Sequence, residues 1–566
     1  MHGKTVRYIL FSIVVIAGSV YFITRLPLFK FMNGLSEDTA NIGVMAINIL
    51  QKGENPLFMY GGYFQSGGAS IEAHVAALIF HFTDPSPYAL NLVALIFSAL
   101  TLVAAAVFVG MNYGNRASVF CTILCLFPPP FFAIWGLKIR GGNVIEPFLS
   151  VLFFIFLFRS MRVQVVHRRI QIFITGLIAG IAFWNHPSSL IITGPLLMAM
   201  IFLHGSLRSG LSTLIFVMLA FFIGAAPIIL LTIQGGNIYF EQLSTFIFVG
   251  GERSIAEIPG RLYIFLADAM PYLFSYKYSP NVDYQNIGFS YNPLEDVRFS
   301  ISTVLIIFLF IFSTASLFIQ EARNISKGFQ RQRDDKLKSL RNITVLLIPL
   351  WYSLVLTIIA PNISETDHLV PIYYYFQIYP FFLIPISVWA AIKRSKLKNI
   401  VVITSLLVLC VSSALSTYQL TRSSPSGEER FNLITNFLKE KGIKHVYCNF
   451  QERFSLRFYS QGTLITSPIW TFIKDYFGDE GGEYILQVYG VFEGLDISRW
   501  DQYPLDTEAV RGAFERREPI AFLVESDWVK ERTRSISEGL IEERVGCYRI
   551  LYRGSPEAGS SSSTIE

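Results

Sequence analysis

The sequence predicts an α-helical, multi-spanning membrane protein with a small soluble α/β domain near its C-terminal end. Three observations predict this architecture. Of the 566 residues, 52% are hydrophobic and 15% are charged, whereas soluble domains carry about 25% charged residues. Apolar runs close to the ~20 residues that a bilayer requires recur up to about residue 420. From about residue 422 the composition becomes polar.

The composition also excludes several classes of protein. A mean hydropathy of +0.46 is incompatible with a cytosolic enzyme, a disordered chain or a small secreted module. The net charge of +5 does not indicate a nucleic-acid partner, since basic loops beside anionic lipid account for it. Five cysteines without a C-x-x-C pair argue against a disulfide scaffold or a zinc motif. Cys121 and Cys125 are interpreted as packing residues, and pairing of Cys448 with Cys547 stays open.

Eleven apolar runs are predicted to span the membrane. The first follows the basic start MHGKTVR and is too long for a signal-peptide core, so it is interpreted as an uncleaved span. The residues NHPSS separate the fifth span from the sixth and predict a tight hairpin. The predicted spans cover about 8–27, 87–111, 116–135, 144–160, 170–185, 188–204, 211–232, 300–320, 343–360, 372–392 and 399–418.

Lysine and arginine predict the orientation of these spans. They are dense in the segments that an inside N-terminus assigns to the cytoplasm, such as the run from Arg323 to Arg341. The opposite loops are longer but poorer in basic residues, as the positive-inside rule requires. An odd number of spans then places the C-terminal region outside an inner, or plasma, membrane.

The predicted domains follow these boundaries. Residues 1–421 form the membrane module, with long outer loops at 28–86 and 233–299. Within the first loop, EDTANIGVMAINILQKG and SIEAHVAALIFHF predict two helices lying at the membrane surface. Residues 422–553 form the α/β domain, with a helix in GEERFNLITNFLKEKG and strands in IKHVYCNF, EPIAFLVES and VGCYRILYR. The Gly/Ser-rich tail 554–566 is predicted to be disordered.

Charged residues beside the membrane are the first candidates for chemistry. Glu37 and Asp38 either cap a helix N-terminus or supply a general base beside lipid headgroups, and both can hold together. Lys138 and Arg140 precede two glycines, a pattern that suits phosphate binding, although both side chains could instead extend to headgroups. Glu146 lies just inside a span, where an ionisable group suggests either a function or a partner for Arg140.

Four stretches, taken in order, resemble a known family. They are LSEDTANIGVMAINILQKGENPLFMYGGYFQSGGASIEAHVAALIFHF, GLKIRGGNVIEPFL, GLIAGIAFWNHPSSLIITGPLL and LKEKGIKHVYCNFQERFSLRFYSQGTLI. They are similar to membrane glycosyltransferases of the GT-C fold, in the bacterial branch related to protein O-mannosyltransferases and to aminoarabinose transferases of lipid A. The resemblance implies a GT-C fold. It also implies an enzyme that takes a sugar from a polyprenyl-phosphate carrier at the outer leaflet.

The resemblance also assigns candidate site residues. Asp38 falls on the first residue of the acidic pair in the family's first loop, the residue that is read as catalytic. Thr39 falls on the second residue of that pair, and Glu37 precedes Asp38. The other matching positions are Glu72 as a supporting acidic group, Arg140, Gly141 and Gly142 as phosphate-binding residues, and His186 as a substrate-binding residue. Beside these matches, Lys138 is a further candidate for phosphate binding, Glu146 for a supporting acidic group, and Tyr63 and Gln65 for substrate binding.

The chemistry of the reaction suits these residue types. Phosphate is a good leaving group that needs its developing negative charge stabilised, and arginine does this by bidentate contact. The acceptor hydroxyl of a lipid, glycan or protein must lose a proton as it attacks C1, which Asp38 would accept as general base. A single displacement then inverts the anomeric centre. No cofactor is assigned, and a divalent metal stays open, with Glu365, Asp367 and His368 as one candidate group.

Two other classes of function remain as alternatives. A lipid or glycan transporter or flippase would place ionisable groups in the middle of the spans and show repeated halves. Here the spans are nearly free of charge, the polar groups are concentrated in the outer loops, and no repeat is visible. A non-catalytic assembly subunit would use its C-terminal domain to hold a partner. For the enzyme, we expect the C-terminal domain either to recruit the acceptor or to brace the fold.

Overall fold

The computed structural model describes most of the membrane module and the core of the C-terminal region. The described residues are 15–30, 35, 37–60, 68–161, 165–203, 207–235, 259–260, 263, 270–275, 301–327, 342–353, 355, 376–392, 396–422, 428–448, 450–469, 472, 504–524, 533, 540–545 and 548–553. Most of the predicted outer loop 233–299 and the tail 554–566 therefore lie outside them.

Helices dominate these residues. In chain order they are α1 (Val15–Phe29), α2 (Glu37–Lys52), α3 (Ser70–Phe82), α4 (Pro87–Tyr113), α5 (Asn115–Leu126), α6 (Pro130–Trp135), α7 (Glu146–Ser160), α8 (Val165–Asn185), α9 (Ser189–Leu203), α10 (Leu207–Gly224), α11 (Ala226–Gly235), α12 (Met270–Leu273), α13 (Ile301–Lys327), α14 (Asn342–Ser353), α15 (Tyr379–Ala391), α16 (Lys396–Arg422), α17 (Glu428–Glu440), α18 (Phe450–Tyr459) and α19 (Pro504–Glu515). The strands are β1 (His445–Cys448), β2 (Ile465–Pro468), β3 (Ile520–Val524), β4 (Ile541–Val545) and β5 (Tyr548–Arg553).

The chain divides into two compact units, each discontinuous in sequence. The first, called here the helical unit, comprises Met1–Met32, Phe64–Ala69 and Asn91–Ser424. The second, called the mixed unit, comprises Asn33–Tyr63, Ser70–Leu90 and Pro425–Glu566. The outer-loop helices α2 and α3 therefore group with the C-terminal residues, a grouping that composition alone does not indicate.

Glycines let two helices of the helical unit meet backbone to backbone. A Cβ atom added to Gly176 would lie 2.3 Å from the carbonyl oxygen of Val217, and one added to Gly180 would lie 2.0 Å from that of Phe221. A Cβ atom added to Gly224 of α10 would lie 2.4 Å from the carbonyl oxygen of Leu177. Small residues four apart permit this contact between α8 and α10, as in membrane helix pairs.

Three consecutive prolines correct one predicted span. The run 116–135 forms two helices, α5 and α6, because Pro128–Pro130 lack the N–H groups that would continue the helical hydrogen bonding. Side chains of other helices satisfy the carbonyl groups that the break leaves free. The Tyr379 hydroxyl donates to Leu124 O (3.4 Å), Arg25 Nη2 to Leu126 O (2.8 Å) and Ser413 Oγ to Pro128 O (2.8 Å).

The predicted count of eleven spans is not confirmed. Judged by length and apolar composition, three helices in the described part of the chain are able to cross a membrane: Pro87–Tyr113, Ile301–Asn324 and Lys398–Arg422. The predicted span 211–232 corresponds to α10 and α11, which bend by 68° at their junction and provide a fourth crossing if they count as one. Several other predicted spans coincide with shorter apolar helices, including α14 and α15.

The described residues of the mixed unit form a five-stranded sheet in the order β2-β1-β3-β5-β4. β1 pairs in parallel with β2 and β3, with His445 opposite Ile465 and Ile520. β5 is antiparallel to β3 and to β4. The three predicted strands are confirmed as β1, β3 and β5. Two strands were not predicted: β2, a short ITSP segment that ends in proline, and β4, whose IEERV sequence is too polar to indicate a strand.

The helices predicted in the first outer loop are confirmed as α2 and α3, and the one after residue 422 as α17. From Ala40 to Asn48, α2 is buried, and it packs against α3 and α18 of the mixed unit. Protein side chains therefore cover much of α2, which was predicted to lie at the membrane surface. That α3 lies at the membrane surface stays a prediction.

Candidate functional site

The helical unit contains a tight glycine turn between α6 and α7 that presents Arg140. Gly141 and Gly142 have φ angles of +51° and +88°, a conformation that side chains with a Cβ atom disfavour. The carbonyl oxygen of Arg140 accepts the backbone N–H of Asn143 at 2.9 Å and its Nδ2 at 2.8 Å. The two glycines thus close a turn that fixes the backbone of Arg140.

Two cationic side chains lie against one tryptophan beside this turn. Lys138 Nζ is 5.3 Å and Arg140 Cζ is 5.5 Å from the ring centroid of Trp135. Lys138 and Trp135 are buried, whereas Arg140 is half-buried. The aromatic ring stabilises both charges at a place of reduced hydration. The resulting concentration of positive charge suits a phosphate group, which arginine contacts through two N–H groups at once.

Asn185 joins three segments around the turn, although it was not among the predicted site residues. Its Nδ2 donates to the carbonyl oxygen of Gly142 at 2.8 Å and to Glu146 Oε1 at 3.1 Å. The backbone carbonyl oxygen of Asn185 accepts the backbone N–H of Gly68 at 3.0 Å. A Cβ atom on Gly142 would lie 2.7 Å from Asn185 Nδ2, so this close approach needs glycine. In the sequence, the only indication of this role was the position of Asn185 at the start of the NHPSS break between two predicted spans.

Replacing Asn185 by leucine is expected to destabilise the helical unit by about 2–4 kcal/mol, because it leaves the Gly142 carbonyl and the Glu146 carboxylate buried without this donor. Thermal unfolding of the purified protein measures the effect. Asn324→Leu, at an exposed position of α13, is the matched control and is expected to change the unfolding temperature little. Equal unfolding temperatures for the two variants would contradict this role of Asn185.

His186 lies in the turn between α8 and α9 and connects to a buried polar chain. Its Nδ1 is 2.5 Å from Ser188 Oγ and accepts the Ser188 backbone N–H at 3.3 Å. Gln377 Nε2 donates to the same Ser188 Oγ at 2.6 Å, and the Tyr352 hydroxyl donates to Gln377 Oε1 at 3.1 Å. Burial lowers the pKa of His186 to about 4. The imidazole is therefore neutral near pH 7 and acts through hydrogen bonds.

This lowered pKa predicts how stability depends on pH. Because the folded state resists protonation of His186 below the ordinary value of 6.5, stability is complete above that pH and is lost as the pH falls from 6.5 toward 4. The expected loss between pH 7 and pH 5 is about 2 kcal/mol. Unfolding of His186→Gln should lack this portion of the pH dependence, whereas His81→Gln, at an exposed position, should retain it. The same acid sensitivity in both variants would contradict the assignment.

In the mixed unit, Asp38 is half-buried in the first turn of α2. The segment that follows α2 folds back along the helix and is held there by polar contacts. Asn41 Nδ2 donates to the carbonyl oxygen of Tyr60, and Asn48 Nδ2 lies 3.2 Å from both Glu54 Oε2 and the Tyr60 hydroxyl, which itself donates to Glu54. These contacts fix the helix that carries Asp38.

The other predicted site residues are distributed as follows. Glu72 is fully buried on α3, which packs against α2 in the mixed unit. Lys138, Arg140, Gly141, Gly142, Glu146 and His186 all belong to the helical unit. Tyr63, Gln65, the Glu37 side chain and Cys547 lie outside the described residues, as do Glu365, Asp367 and His368. Within the described ranges, no group of three or more His, Cys, Asp or Glu side chains could hold a metal ion.

Comparisons with known proteins rest on structure alone. No protein-family model matches the sequence, and no curated protein matches it. The structure matches ArnT from Cupriavidus metallidurans bound to undecaprenyl phosphate, with a TM-score of 0.58 at 10% identity over 98% of this chain and 100% of that one. It matches the apo form with a TM-score of 0.56 at 11% identity over 97% and 98% of the two chains.

A further match is the apo oligosaccharyltransferase of Archaeoglobus fulgidus, with a TM-score of 0.46 at 12% identity over 83% of this chain and 68% of that one. The similarity to ArnT covers almost the whole chain and confirms the fold expected from the resemblance. The chain has the GT-C fold.

Proposed function

We propose that the protein is a membrane glycosyltransferase that moves a sugar from a polyprenyl-phosphate carrier to a hydroxyl group at the outer face of the membrane. The observation that carries this proposal is the pair of cations, Lys138 and Arg140, that lie against Trp135, with a glycine turn directly after Arg140. The chain has the same fold as an ArnT that binds undecaprenyl phosphate, a lipid with one phosphate group, and this similarity supports a carrier of that class.

In the proposed reaction, the acceptor oxygen attacks C1 of the sugar and forms the new glycosidic bond. The bond between C1 and the phosphate oxygen breaks, and its electron pair leaves with polyprenyl phosphate. Asp38 accepts the proton of the attacking hydroxyl, a role that typically contributes about 10²–10⁴-fold in rate. One displacement from the face opposite the phosphate inverts the anomeric centre.

Arg140 and Lys138 stabilise the negative charge that grows on the phosphate as the bond to C1 breaks. Such donors are most effective when they are already in place, since no reorganisation is then needed during the reaction. The closed turn at Gly141 and Gly142 supplies this preorganisation for Arg140. The neutral imidazole of His186 contributes hydrogen bonding to the substrate, and Glu72 and Glu146 are supporting acidic groups.

The proposal includes an orientation in the membrane. The N-terminus faces the cytoplasm, the candidate site opens to the outer face, and the C-terminal residues are extracytoplasmic, as the basic loops indicate. The acceptor is a lipid, a glycan or a protein hydroxyl, and membrane lipid surrounds the helices.

The test uses the purified full-length protein in lipid vesicles with a panel of polyprenyl-phosphate sugars that are radiolabelled in the sugar. A membrane extract supplies acceptors, and parallel samples contain EDTA or Mg²⁺ to decide metal dependence. We expect one donor to be consumed, with release of polyprenyl phosphate and transfer of label. Movement of intact donor between leaflets without consumption would support a flippase instead. The absence of both consumption and movement would favour an assembly subunit.

A further inference from the structure

A very close contact joins α2 and α18 inside the mixed unit. A Cβ atom added to Gly43 would lie 2.5 Å from Cδ2 and Cε2 of Phe458 and 3.1 Å from Cδ1 of Leu90. Ordinary contacts of this kind begin near 3.4 Å, so only glycine allows α2 to approach the ring this closely. Glycine inside a helix costs about 1 kcal/mol relative to alanine. The close approach is therefore obtained at a local cost in stability.

The contact continues along one face of α2. Gly43, Ile47 and Gln51 are spaced four residues apart and lie on the same side of the helix. A Cβ atom on Gly462, in the turn after α18, would lie 3.8 Å from Ile47 Cγ2 and 3.8 Å from Gln51 Oε1. α18 and the turn that follows it thus support two further turns of α2.

Phe458 itself is held firmly by its surroundings. It is buried, and its ring centroid is 6.3 Å from that of Phe80 on α3. The neighbouring Tyr459 stacks on Phe431 of α17 at 5.7 Å, with 13° between the ring planes. Phe431 belongs to the hydrophobic core that α17 and α18 share with strands β1, β3 and β5. The position of Phe458, and with it that of α2, is thus set by the core of the sheet.

We infer that Phe458 and Gly43 are positioning residues for Asp38, so that the C-terminal residues hold the helix that carries the general base. This inference rests on the function proposed above. Asp38 precedes Gly43 by five residues, or about 7.5 Å along the helix axis. A helix moves over that distance as a rigid rod. A misplacement of about 1 Å at a reacting group is able to cost about 10²-fold in rate, and relieving the contact at residue 43 requires a shift of that size.

The test is Gly43→Ala in the full-length protein, assayed for turnover of a polyprenyl-phosphate sugar. We expect kcat to fall about 10–100-fold, while KM for the donor stays within about threefold because the Lys138 and Arg140 site is unaltered. The double variant Gly43→Ala with Phe458→Leu makes room for the added methyl group and is expected to recover most of kcat. Gly194→Ala in α9 is the matched control, since an added Cβ atom meets nothing within 4 Å there.

Several outcomes would overturn the inference. Unchanged kcat in Gly43→Ala would do so, as would a loss that Phe458→Leu does not rescue or a loss that appears only in KM. If Gly43→Ala does not fold, Phe458→Leu alone takes its place, and we expect a fall in kcat of about tenfold with an unchanged KM. Asp38→Asn in the same assay separates the two proposals. If Asp38→Asn is inactive and Gly43→Ala has the kcat of the unsubstituted protein, only the positioning role is wrong. An active Asp38→Asn would contradict the role of Asp38 as general base.

Discussion

Asp38→Asn is expected to lower kcat by about 10²–10⁴-fold, the usual contribution of a general base. Asparagine preserves the size of the side chain, but it cannot accept the proton of the attacking hydroxyl. KM for the donor should change little, because the groups assigned to the phosphate are unaltered. Steady-state turnover of a polyprenyl-phosphate sugar in lipid vesicles measures both constants.

The matched control for this prediction is Asp84→Asn, which makes the same substitution at an exposed position between α3 and α4. It is expected to retain full activity. Unfolding temperatures equal to that of the unsubstituted protein would show that neither change acts through stability. A turnover within about threefold of normal in Asp38→Asn would exclude this carboxylate as the base.

Arg140→Gln is expected to weaken binding of the polyprenyl-phosphate carrier and to lower kcat/KM by about 10–150-fold, which corresponds to the loss of about 1.5–3 kcal/mol from a charge-assisted hydrogen bond. Arg140→Lys should recover part of this loss, since it restores the charge but not the bidentate geometry. Binding of polyprenyl phosphate alone, measured by displacement of a labelled carrier, reports the affinity without turnover.

Arg159→Gln serves as the control for Arg140, because Arg159 is exposed near the end of α7. It is expected to bind the carrier normally. An unchanged affinity for polyprenyl phosphate in Arg140→Gln would remove this residue from the site, and an equal loss in both variants would indicate a general effect of surface charge.

Local patterns predicted several elements of the fold outside the membrane spans. The helices α2, α3 and α17 were predicted because helix start and stop signals bound apolar residues at helical spacing. The three central strands of the C-terminal region were predicted from short apolar runs. β4 was missed because edge strands often carry charged side chains that prevent pairing with another chain, and such strands lack the apolar pattern that predicts a strand.

Contacts between distant segments were beyond the reach of these patterns. The α5–α6 break is stable because Arg25, Tyr379 and Ser413 satisfy its carbonyl groups, and no local signal reports such partners. The role of Gly43 could not be predicted either, because its sequence neighbours give no sign of the contact with Phe458.

The candidate site also contains some features that local sequence could predict and others that it could not. The glycine turn at Arg140 could be predicted, since two consecutive glycines after an arginine suggest a backbone close to a phosphate. The roles of Asn185 and of Gln377 in the buried polar network could not, because each acts through residues far away in the sequence. The functions assigned to Asp38, Arg140 and His186 stay predictions until they are measured.

The central claim is that the protein transfers sugar from a phosphate carrier with Asp38 as base, and a single-turnover experiment tests it most directly. Donor bound in advance to an excess of enzyme is mixed with saturating acceptor, and release of polyprenyl phosphate is followed in the unsubstituted protein and in Asp38→Asn. We predict rapid release in the first and release slowed by about 10²-fold or more in the second, with equal amounts of donor bound at the start. Equal rates of release, or no release from either protein, would contradict the account.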